Sequence, residues 1–175
     1  MNANELREQG NESFKQSQFK KAVNYYSQAI NTILDPLNIN ESDEDLSSLQ
    51  NVLKKDDCLV KCFNNRAQCH LKLESYKKAV DDANKVLLAN ADETKALFRR
   101  SQALKELNRF DESLRDAKRL IQIEPKNNQF ITYIQSLTRL IQDKSNEQRS
   151  TKSQVKNMLD YTTNSDREKK LTVRK

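Results

Sequence analysis

The 175-residue sequence is poor in the residues that end or bend regular structure. It contains one glycine, two prolines and no tryptophan. Folds built from many short strands need glycine and proline at their turns, so this composition argues against a strand-rich protein. Hydrophobic residues make up 35% of the chain, which is low for a thick core but suits stacked helices that each expose one face to water. The composition therefore predicts an all-α fold.

Long apolar runs are also absent from the sequence. No stretch approaches the roughly 20 apolar residues that a membrane-spanning helix needs. The opening residues Met1–Glu5 lack the features of a secretory signal peptide. We therefore predict a cytoplasmic protein that has no membrane partner.

Side chains that carry catalysis or bind metals are scarce. Cys58, Cys62 and Cys69 lack the paired spacing of a zinc site, and cysteines four residues apart on a helix do not form a stable disulfide. His70 is the only histidine, and small buried residues explain these thiols better than a Cys/His nucleophile pair. The sequence has no glycine-rich phosphate loop and no paired acid and base. These absences argue against an enzyme, and we predict no metal and no other cofactor.

Positive charge is concentrated in the middle and at the end of the chain. Residues 1–57 carry a net charge of −4, whereas residues 58–127 and 128–175 each carry +5. Such a distribution favours an anionic partner. The charge alone leaves open whether that partner is an acidic peptide or a nucleic acid.

The chain repeats itself with a period of 34 residues. Small residues recur at Ala67 and Ser101, and apolar residues follow each of them at matching offsets. Gly10 is the equivalent residue of a third copy, 57 residues before Ala67, which is one period plus an insertion of 23 residues. Other matching sets are Phe19, Tyr76 and Phe110, and Ala22, Ala79 and Ser113. Each copy is predicted to be a pair of helices that must stack on its neighbours to bury its apolar face.

The apolar periodicity predicts the bounds of these helices. The first helices of the three copies span about residues 3–16, 55–73 and 93–107, and the second helices about 18–34, 75–89 and 109–123. The acidic insertion at about 35–57 is predicted to be a mobile surface loop, with 49–55 as a candidate extension of the following helix.

Two further segments follow the third copy. Phe130, Ile134, Leu137 and Ile141 have helical spacing and predict a capping helix over residues 128–145, which would shield the last apolar face. Residues 146–175 form a polar and basic tail. A second amphipathic helix is indicated there by Val155, Met158, Leu159 and Leu171. We expect the tail to lead towards a domain outside these 175 residues.

This organisation resembles the tetratricopeptide repeat over residues 3–127, with repeats at 3–36, 60–93 and 94–127. Pro36 and Pro125 stand near the end of the first and third copies, where the family has its closing proline, and Ala91-Asp92 replaces it in the second. The resemblance implies a right-handed superhelix of three helical hairpins. It also implies that the first helix of each hairpin lines a concave groove.

Five polar residues face that groove by their repeat positions: Arg7, Asn11, Asn65, Lys95 and Arg99. Lys95 and Arg99 are four residues apart on one helix, so these two cations lie on the same side of it. The set holds three cations and two amides with no carboxylate among them, which suits the carboxylates of an acidic peptide. We expect Lys95 and Arg99 to be exposed, so that replacing either changes the free energy of unfolding by no more than about 0.5 kcal/mol.

The five residues are similar to the carboxylate clamp of tetratricopeptide co-chaperones, which usually have lysine where Arg7 stands. The resemblance implies binding of the acidic C-terminal tail, ending Glu-Glu-Val-Asp, of the cytosolic chaperones Hsp90 and Hsp70. The segments 96–104 and 151–159 are most similar to the N-terminal domain of the myosin-directed (UCS family) co-chaperones. That resemblance implies a client such as myosin, bound by a region absent from this sequence.

Two other functions stay open from the residues alone. One is a tetratricopeptide scaffold that binds a different acidic peptide. The other is weak nucleic-acid binding through the basic C-terminal half, although no aromatic residues alternate with the cations of the predicted groove.

Overall fold

The computed structural model of the protein describes the backbone of residues 1–41 and 46–172, with side chains described as far as residue 154 and at 156. Within these residues every regular element is helical. A short 3-10 helix, Asp35–Leu37, follows the second of eight α-helices. These are α1 (Ala3–Lys15), α2 (Phe19–Leu34), α3 (Leu46–Leu53), α4 (Asp57–Lys72), α5 (Tyr76–Ala89), α6 (Thr94–Glu106), α7 (Phe110–Ile123) and α8 (Asn128–Thr172). The predicted all-α class is confirmed.

Three helical hairpins form the body of the chain. The paired helices are α1 with α2, α4 with α5, and α6 with α7, and the hairpins stack through contacts of α2 with α4 and of α5 with α6. Each of these six helices begins and ends within two residues of the bounds predicted from the sequence. The repeat register is accurate here because the same small and aromatic positions fix both ends of each hairpin.

The turn inside each hairpin has the same backbone geometry. Ser17, Glu74 and Asn108 occupy equivalent repeat positions and adopt left-handed φ values of 58°, 56° and 59°. The residue after each one donates its backbone N–H to the carbonyl five residues earlier, at 2.9 Å in all three turns. This bond satisfies a free carbonyl at the end of the first helix and turns the chain back.

The insertion contributes to the core instead of forming a free loop. Leu49 and Leu53 of α3 are buried in the largest apolar cluster, together with Leu34 of α2 and Phe63 of α4. The prediction of a mobile surface loop is therefore wrong for residues 46–53. These leucines are four residues apart, so both lie on one face of the short helix. The acidic residues 42–45 of the insertion lie outside the described residues.

The helix α3 is also separate from α4. Asp56 caps α4, because its side chain accepts a hydrogen bond of 2.9 Å from the backbone N–H of Leu59. A capping residue of this kind has an extended backbone and begins a new helix, so residues 49–55 do not extend α4 backwards. Gln50 of α3 also contacts α5, because its side-chain amide donates to the Leu88 carbonyl at 2.6 Å.

The chain divides into two compact units, Met1–Ile134 and Gln135–Lys175. In the first unit, Phe130 of α8 packs against Leu97 and Leu120 of the third hairpin. None of the described helices is both long enough and apolar enough to cross a bilayer.

The long helix α8 differs from the prediction of a capping helix that ends near residue 145. It continues without interruption to Thr172. No glycine or proline follows Pro125, and the polar residues of 144–154 tolerate a helix, so nothing in this segment ends it. The side chains of Val155, Met158, Leu159 and Leu171, which indicated a second helix, lie outside the described residues.

Candidate functional site

A pocket of about 300 Å³ opens where the first helices of the three hairpins come together. Its walls come from four helices. The lining side chains used below are Glu8 and Asn11 of α1, Tyr26 of α2, Asn65 and Gln68 of α4, and Arg99 of α6. Three of the five predicted groove residues, Asn11, Asn65 and Arg99, therefore line one pocket although they are far apart in sequence.

A hydrogen-bond network fixes the two asparagines. The Tyr26 hydroxyl donates to Asn11 Oδ1 at 2.8 Å, and Asn65 Nδ2 donates to the same oxygen at 3.0 Å. Tyr26 is only 1% exposed, and burial raises the pKa of its hydroxyl above the ordinary value, so it stays a donor. Because Oδ1 of Asn11 has both partners, the amide is held in one orientation and its Nδ2 group is the remaining donor.

The approach of the Tyr26 ring depends on the single glycine of the chain. A Cβ atom placed on Gly10 would lie 2.5 Å from Tyr26 Cε1, far inside van der Waals contact. The equivalent positions in the other hairpins are Ala67 and Ser101, where a methyl or hydroxyl is accommodated. The first hairpin thus uses glycine to bring a tyrosine under the pocket.

Arg99 is a partly buried member of the site. Its Nε donates to Gln68 Oε1 at 3.0 Å, and its Nη1 donates to the backbone and side-chain oxygens of Asn64 at 2.9 and 3.1 Å. Burial lowers the pKa of Arg99 from its ordinary value. The expectation that this side chain is exposed is therefore wrong. Its Nη2 has no hydrogen-bond partner within the described residues and is available to a ligand.

Lys95 lies one turn before Arg99 on α6 and differs from it. It is exposed, as expected, and makes no ion pair or hydrogen bond in the described part of the chain. It does not line the pocket. The two cations therefore have different roles: Arg99 is held by protein contacts, whereas Lys95 is free to move.

A carboxylate lies inside the predicted cationic set. Glu8 lines the pocket and contacts two of the five residues, with Oε1 at 2.5 Å from Arg7 Nη2 and Oε2 at 3.0 Å from Asn11 Nδ2. The prediction that no carboxylate interrupts the set is wrong. Glu8 and Asn11 are three residues apart on α1, which places them on the same face. Arg7 does not itself line the pocket, but it contacts Glu8, which does. Its side chain is 20% exposed, and its Nε has no hydrogen-bond partner among the described residues.

The sequence prediction missed other residues of the site. Gln68 follows Asn65 by three residues on α4, so the helical spacing that placed Asn65 on the groove could also have placed Gln68 there. Asn64 contributes through its backbone carbonyl as well as its side chain, and no sequence signal predicts that contact. Tyr26 lies on α2, the second helix of its hairpin, and its role as a donor to Asn11 was not predicted.

Two of the three cysteines of α4 are buried, and Cys58 is partly buried. Cys62 and Cys69 are fully buried, and burial raises the pKa of the Cys69 thiol to about 12. Such thiols are protonated and poor nucleophiles at neutral pH. Among the side chains that the structure describes, no group of three or more histidines, cysteines or acidic residues could hold a metal ion.

The repeat pattern and this hairpin geometry agree with a known family. The family sequence model of the tetratricopeptide repeat matches residues 94–127, which form the third hairpin. The chain belongs to the tetratricopeptide-repeat family. The similarity extends beyond this segment, because solved tetratricopeptide-repeat (TPR) domains of Arabidopsis OM64 and human RPAP3 match 77% and 82% of the chain.

Among tetratricopeptide proteins, the chain is similar to the unc-45 homologues. It is 34% identical to "Protein unc-45 homolog B" of Xenopus laevis over 168 residues, which are 95% of this chain and 16% of that protein. The crystal structure of the myosin chaperone UNC-45 from C. elegans, in complex with a Hsp90 peptide, is 28% identical with a TM-score of 0.63. The match covers 82% of this chain and 14% of the UNC-45 chain. The chain therefore spans about a sixth of the length of these relatives.

Another solved structure extends the similarity to a yeast protein. The Hsp90 co-chaperone Cns1 from Saccharomyces cerevisiae is 25% identical to this chain with a TM-score of 0.68. The match covers 89% of this chain and 44% of Cns1.

Proposed function

We propose that this tetratricopeptide domain binds the free C-terminal carboxylate of an acidic peptide in the pocket between its hairpins. The observation that carries the proposal is the convergence of Asn11, Asn65 and Arg99, from three different helices, on one opening of about 300 Å³. Amide N–H groups and a guanidinium are the donors that a carboxylate needs. The Nη2 group of Arg99 has no partner within the described residues and gives the acidic peptide a further, open donor.

Two more cations extend the proposed site beyond the pocket. Lys95 is exposed and unpaired in the described part of the chain, one turn from Arg99, and suits a side-chain carboxylate of the same peptide. Arg7 lies one turn before Asn11 on α1. Each charge-assisted hydrogen bond contributes about 1.5–3 kcal/mol. After the cost of ordering a short peptide, we expect a Kd on the order of micromolar.

The relatives suggest which peptide this is. The UNC-45 structure holds a Hsp90 peptide, and Cns1 is described as a Hsp90 co-chaperone. We therefore propose that the partner is the C-terminal tail, ending Glu-Glu-Val-Asp, of Hsp90 or Hsp70, and that the domain acts as an adaptor in the cytoplasm. A client such as myosin would be bound by a region that corresponds to the rest of the relatives. We assign no catalytic role to the domain.

Calorimetric titration with a peptide ending Met-Glu-Glu-Val-Asp tests the proposal. The same peptide with an amidated C-terminus is the matched control, since it differs only in the terminal carboxylate. Binding of the free acid alone, at a Kd on the order of micromolar, is the expected result. Equal binding of both peptides, binding of neither, or preferential binding of a single-stranded oligonucleotide would contradict it.

A further inference from the structure

Glu8 places the protein's own carboxylate in the proposed ligand site. We propose that Glu8 is a built-in competitor that a ligand must displace, and that it restricts the site to ligands with more than one carboxylate. The inference rests on the proposed function, because the ligand it concerns is the carboxylate-bearing peptide.

The contacts of Glu8 imitate those of a bound carboxylate. Its two oxygens bridge a guanidinium and a side-chain amide, Arg7 Nη2 at 2.5 Å and Asn11 Nδ2 at 3.0 Å. A C-terminal carboxylate would use the same two donors. In the free protein these donors are therefore already engaged, and the incoming ligand exchanges one carboxylate for another.

Glu8 is not needed to orient the site. Asn11 is held through its Oδ1 by the buried Tyr26 hydroxyl and by Asn65, at 2.8 and 3.0 Å. Arg7 is held by burial, since only 20% of its side chain is exposed. Removing the Glu8 carboxylate therefore leaves the donors in place and unpaired. This geometry favours competition over a supporting role.

Glu8 can also leave the site at little cost. Its side chain is 62% exposed, so rotation about its own side-chain bonds carries the carboxylate into water, which solvates it well. The two contacts with Arg7 and Asn11 are the part that a ligand must replace.

The competitor explains how such a site would select its ligands. A ligand with one carboxylate only replaces the contacts that Glu8 already makes, and gains little. A peptide with a terminal and a side-chain carboxylate makes additional contacts with the open Nη2 of Arg99 and with the exposed Lys95. The net affinity therefore comes from the second carboxylate, and acidic C-terminal sequences are preferred over neutral ones.

The test compares Glu8→Ala with Glu12→Ala in the same chain. Glu12 lies on α1 four residues later, is exposed and does not line the pocket. Its partner at 3.8 Å, the exposed Lys15, does line the pocket. The two variants change net charge and helix propensity equally. In titrations with the peptide ending Met-Glu-Glu-Val-Asp, we expect Glu8→Ala to tighten the Kd about two- to fivefold, the factor that an exposed charge-assisted contact contributes. Glu12→Ala, which frees the exposed Lys15, should tighten the Kd by less than about twofold.

A second readout follows the free protein without peptide. The NMR signals of the Asn11 side-chain amide should shift in Glu8→Ala and stay in place in Glu12→Ala, because only Glu8 accepts from that amide. A monocarboxylate probe, acetyl-alanine, should gain more from the Glu8→Ala change than the acidic peptide does.

Several results would overturn the inference. Weaker peptide binding by Glu8→Ala would show that Glu8 supports the donors, and equal tightening in both variants would show a general effect of charge. If the NMR signals of the Asn11 side-chain amide do not shift in Glu8→Ala, Glu8 does not contact Asn11 in solution. If none of the three proteins binds the peptide, the proposed function fails and the competitor role fails with it, whereas tight binding without a difference at Glu8 removes only this inference.

Discussion

The guanidinium of Arg66 and the carboxylate of Asp82 lie edge to edge across the second hairpin, with Nε–Oδ2 at 2.9 Å and Nη2–Oδ1 at 2.7 Å. The third hairpin repeats the pair 34 residues later, where Arg100 and Asp116 are joined at 2.8 and 2.7 Å. Each pair ties the first helix of a hairpin to the second. The first pair is the more buried, since only 9% of the Arg66 side chain is exposed against 26% for Arg100.

Replacing Asp82 should destabilise the protein more than replacing Asp116. Removing one partner of a buried ion pair costs about 3–5 kcal/mol when it leaves the charge uncompensated. Glu41 still pairs with Arg66 after Asp82→Ala, so we expect a loss at the lower end of this range. Asp116→Ala should cost less because water can solvate Arg100. Urea denaturation measures both free energies of unfolding, and equal losses would contradict the difference in burial.

The buried position of α3 predicts that Leu49→Ala is strongly destabilising. Leu49 is fully buried in the main core, and deleting its side chain leaves a cavity that costs about 2–5 kcal/mol. Leu46, on the same helix and 41% exposed, is the matched control, and Leu46→Ala should change stability by no more than about 0.5 kcal/mol. If both variants unfold at the urea midpoint of the unchanged protein, α3 is not part of the core.

His70 is buried beside the Arg66–Asp82 pair. Its Nε2 lies 3.8 Å from Asp82 Oδ2, and its Nδ1 has no hydrogen-bond partner within the described residues. Burial lowers the pKa of His70, the negative charge of Asp82 opposes that shift, and Arg66 and Lys78 add to it. The folded state therefore binds a proton at His70 less readily than the unfolded state does.

This difference predicts a loss of stability as the pH falls. Because the pKa of His70 is lowered on folding, its contribution is fully present above the unfolded value of about 6.5 and is lost as the pH falls towards the folded value. His70→Leu, which copies the equivalent Leu104, should remove this component. The free energy of unfolding measured from pH 7.5 to 5 should fall more steeply in the unchanged protein than in the variant, and parallel curves would contradict the prediction.

Substitutions of Lys95 and Arg99 should both weaken peptide binding, but only the Arg99 substitution should also lower stability. Lys95→Ala should weaken binding of the acidic peptide while changing the free energy of unfolding by no more than about 0.5 kcal/mol. Arg99→Ala should abolish binding and also cost about 1–3 kcal/mol, because the oxygens of Asn64 and Gln68 lose their donor. Calorimetry and urea denaturation on both variants provide the test. A fully stable Arg99→Ala protein would mean that its contacts with α4 are not maintained in solution.

Gly10→Ala should destabilise the first hairpin. The added Cβ would lie 2.5 Å from Cε1 of the buried Tyr26 ring, and overpacking of this kind costs about 1–3 kcal/mol. Alanine favours a helix over glycine by about 1 kcal/mol, so an increase in stability would show that the ring can move aside. Thermal unfolding of Gly10→Ala, alone and combined with Tyr26→Leu, distinguishes the two results.

The sequence predicts the hairpins well because the 34-residue register fixes helix ends, small contact positions and groove-facing residues together. It predicts the site in part. Asn11, Asn65 and Arg99 line one pocket, but the Glu8 contact depends on a side-chain conformation that periodicity does not contain. The burial of Arg99 depends on Asn64 and Gln68 of the neighbouring hairpin.

Two other features were missed for different reasons. The Arg66–Asp82 and Arg100–Asp116 pairs recur at the repeat period of 34 residues. The recurrence of an arginine and an aspartate at matching positions could therefore have predicted both ion pairs. The position of α3 could not be predicted in this way. Its leucines are buried only because the stacked hairpins leave a space that a non-repeating segment fills, and an acidic, polar sequence around them is typical of a loop.

Repeat proteins are often treated as modular, because each unit that contacts only its neighbours can be excised or exchanged alone. The second hairpin does not have that independence. Glu41, from the segment before it, pairs with both Arg66 and Lys85, and α3 completes its apolar core. Cutting at the formal repeat boundary would remove one carboxylate partner of the buried Arg66 and expose the core. For grafting or consensus engineering, the smallest transferable block at this end of the protein is therefore residues 1–93, not a single 34-residue repeat.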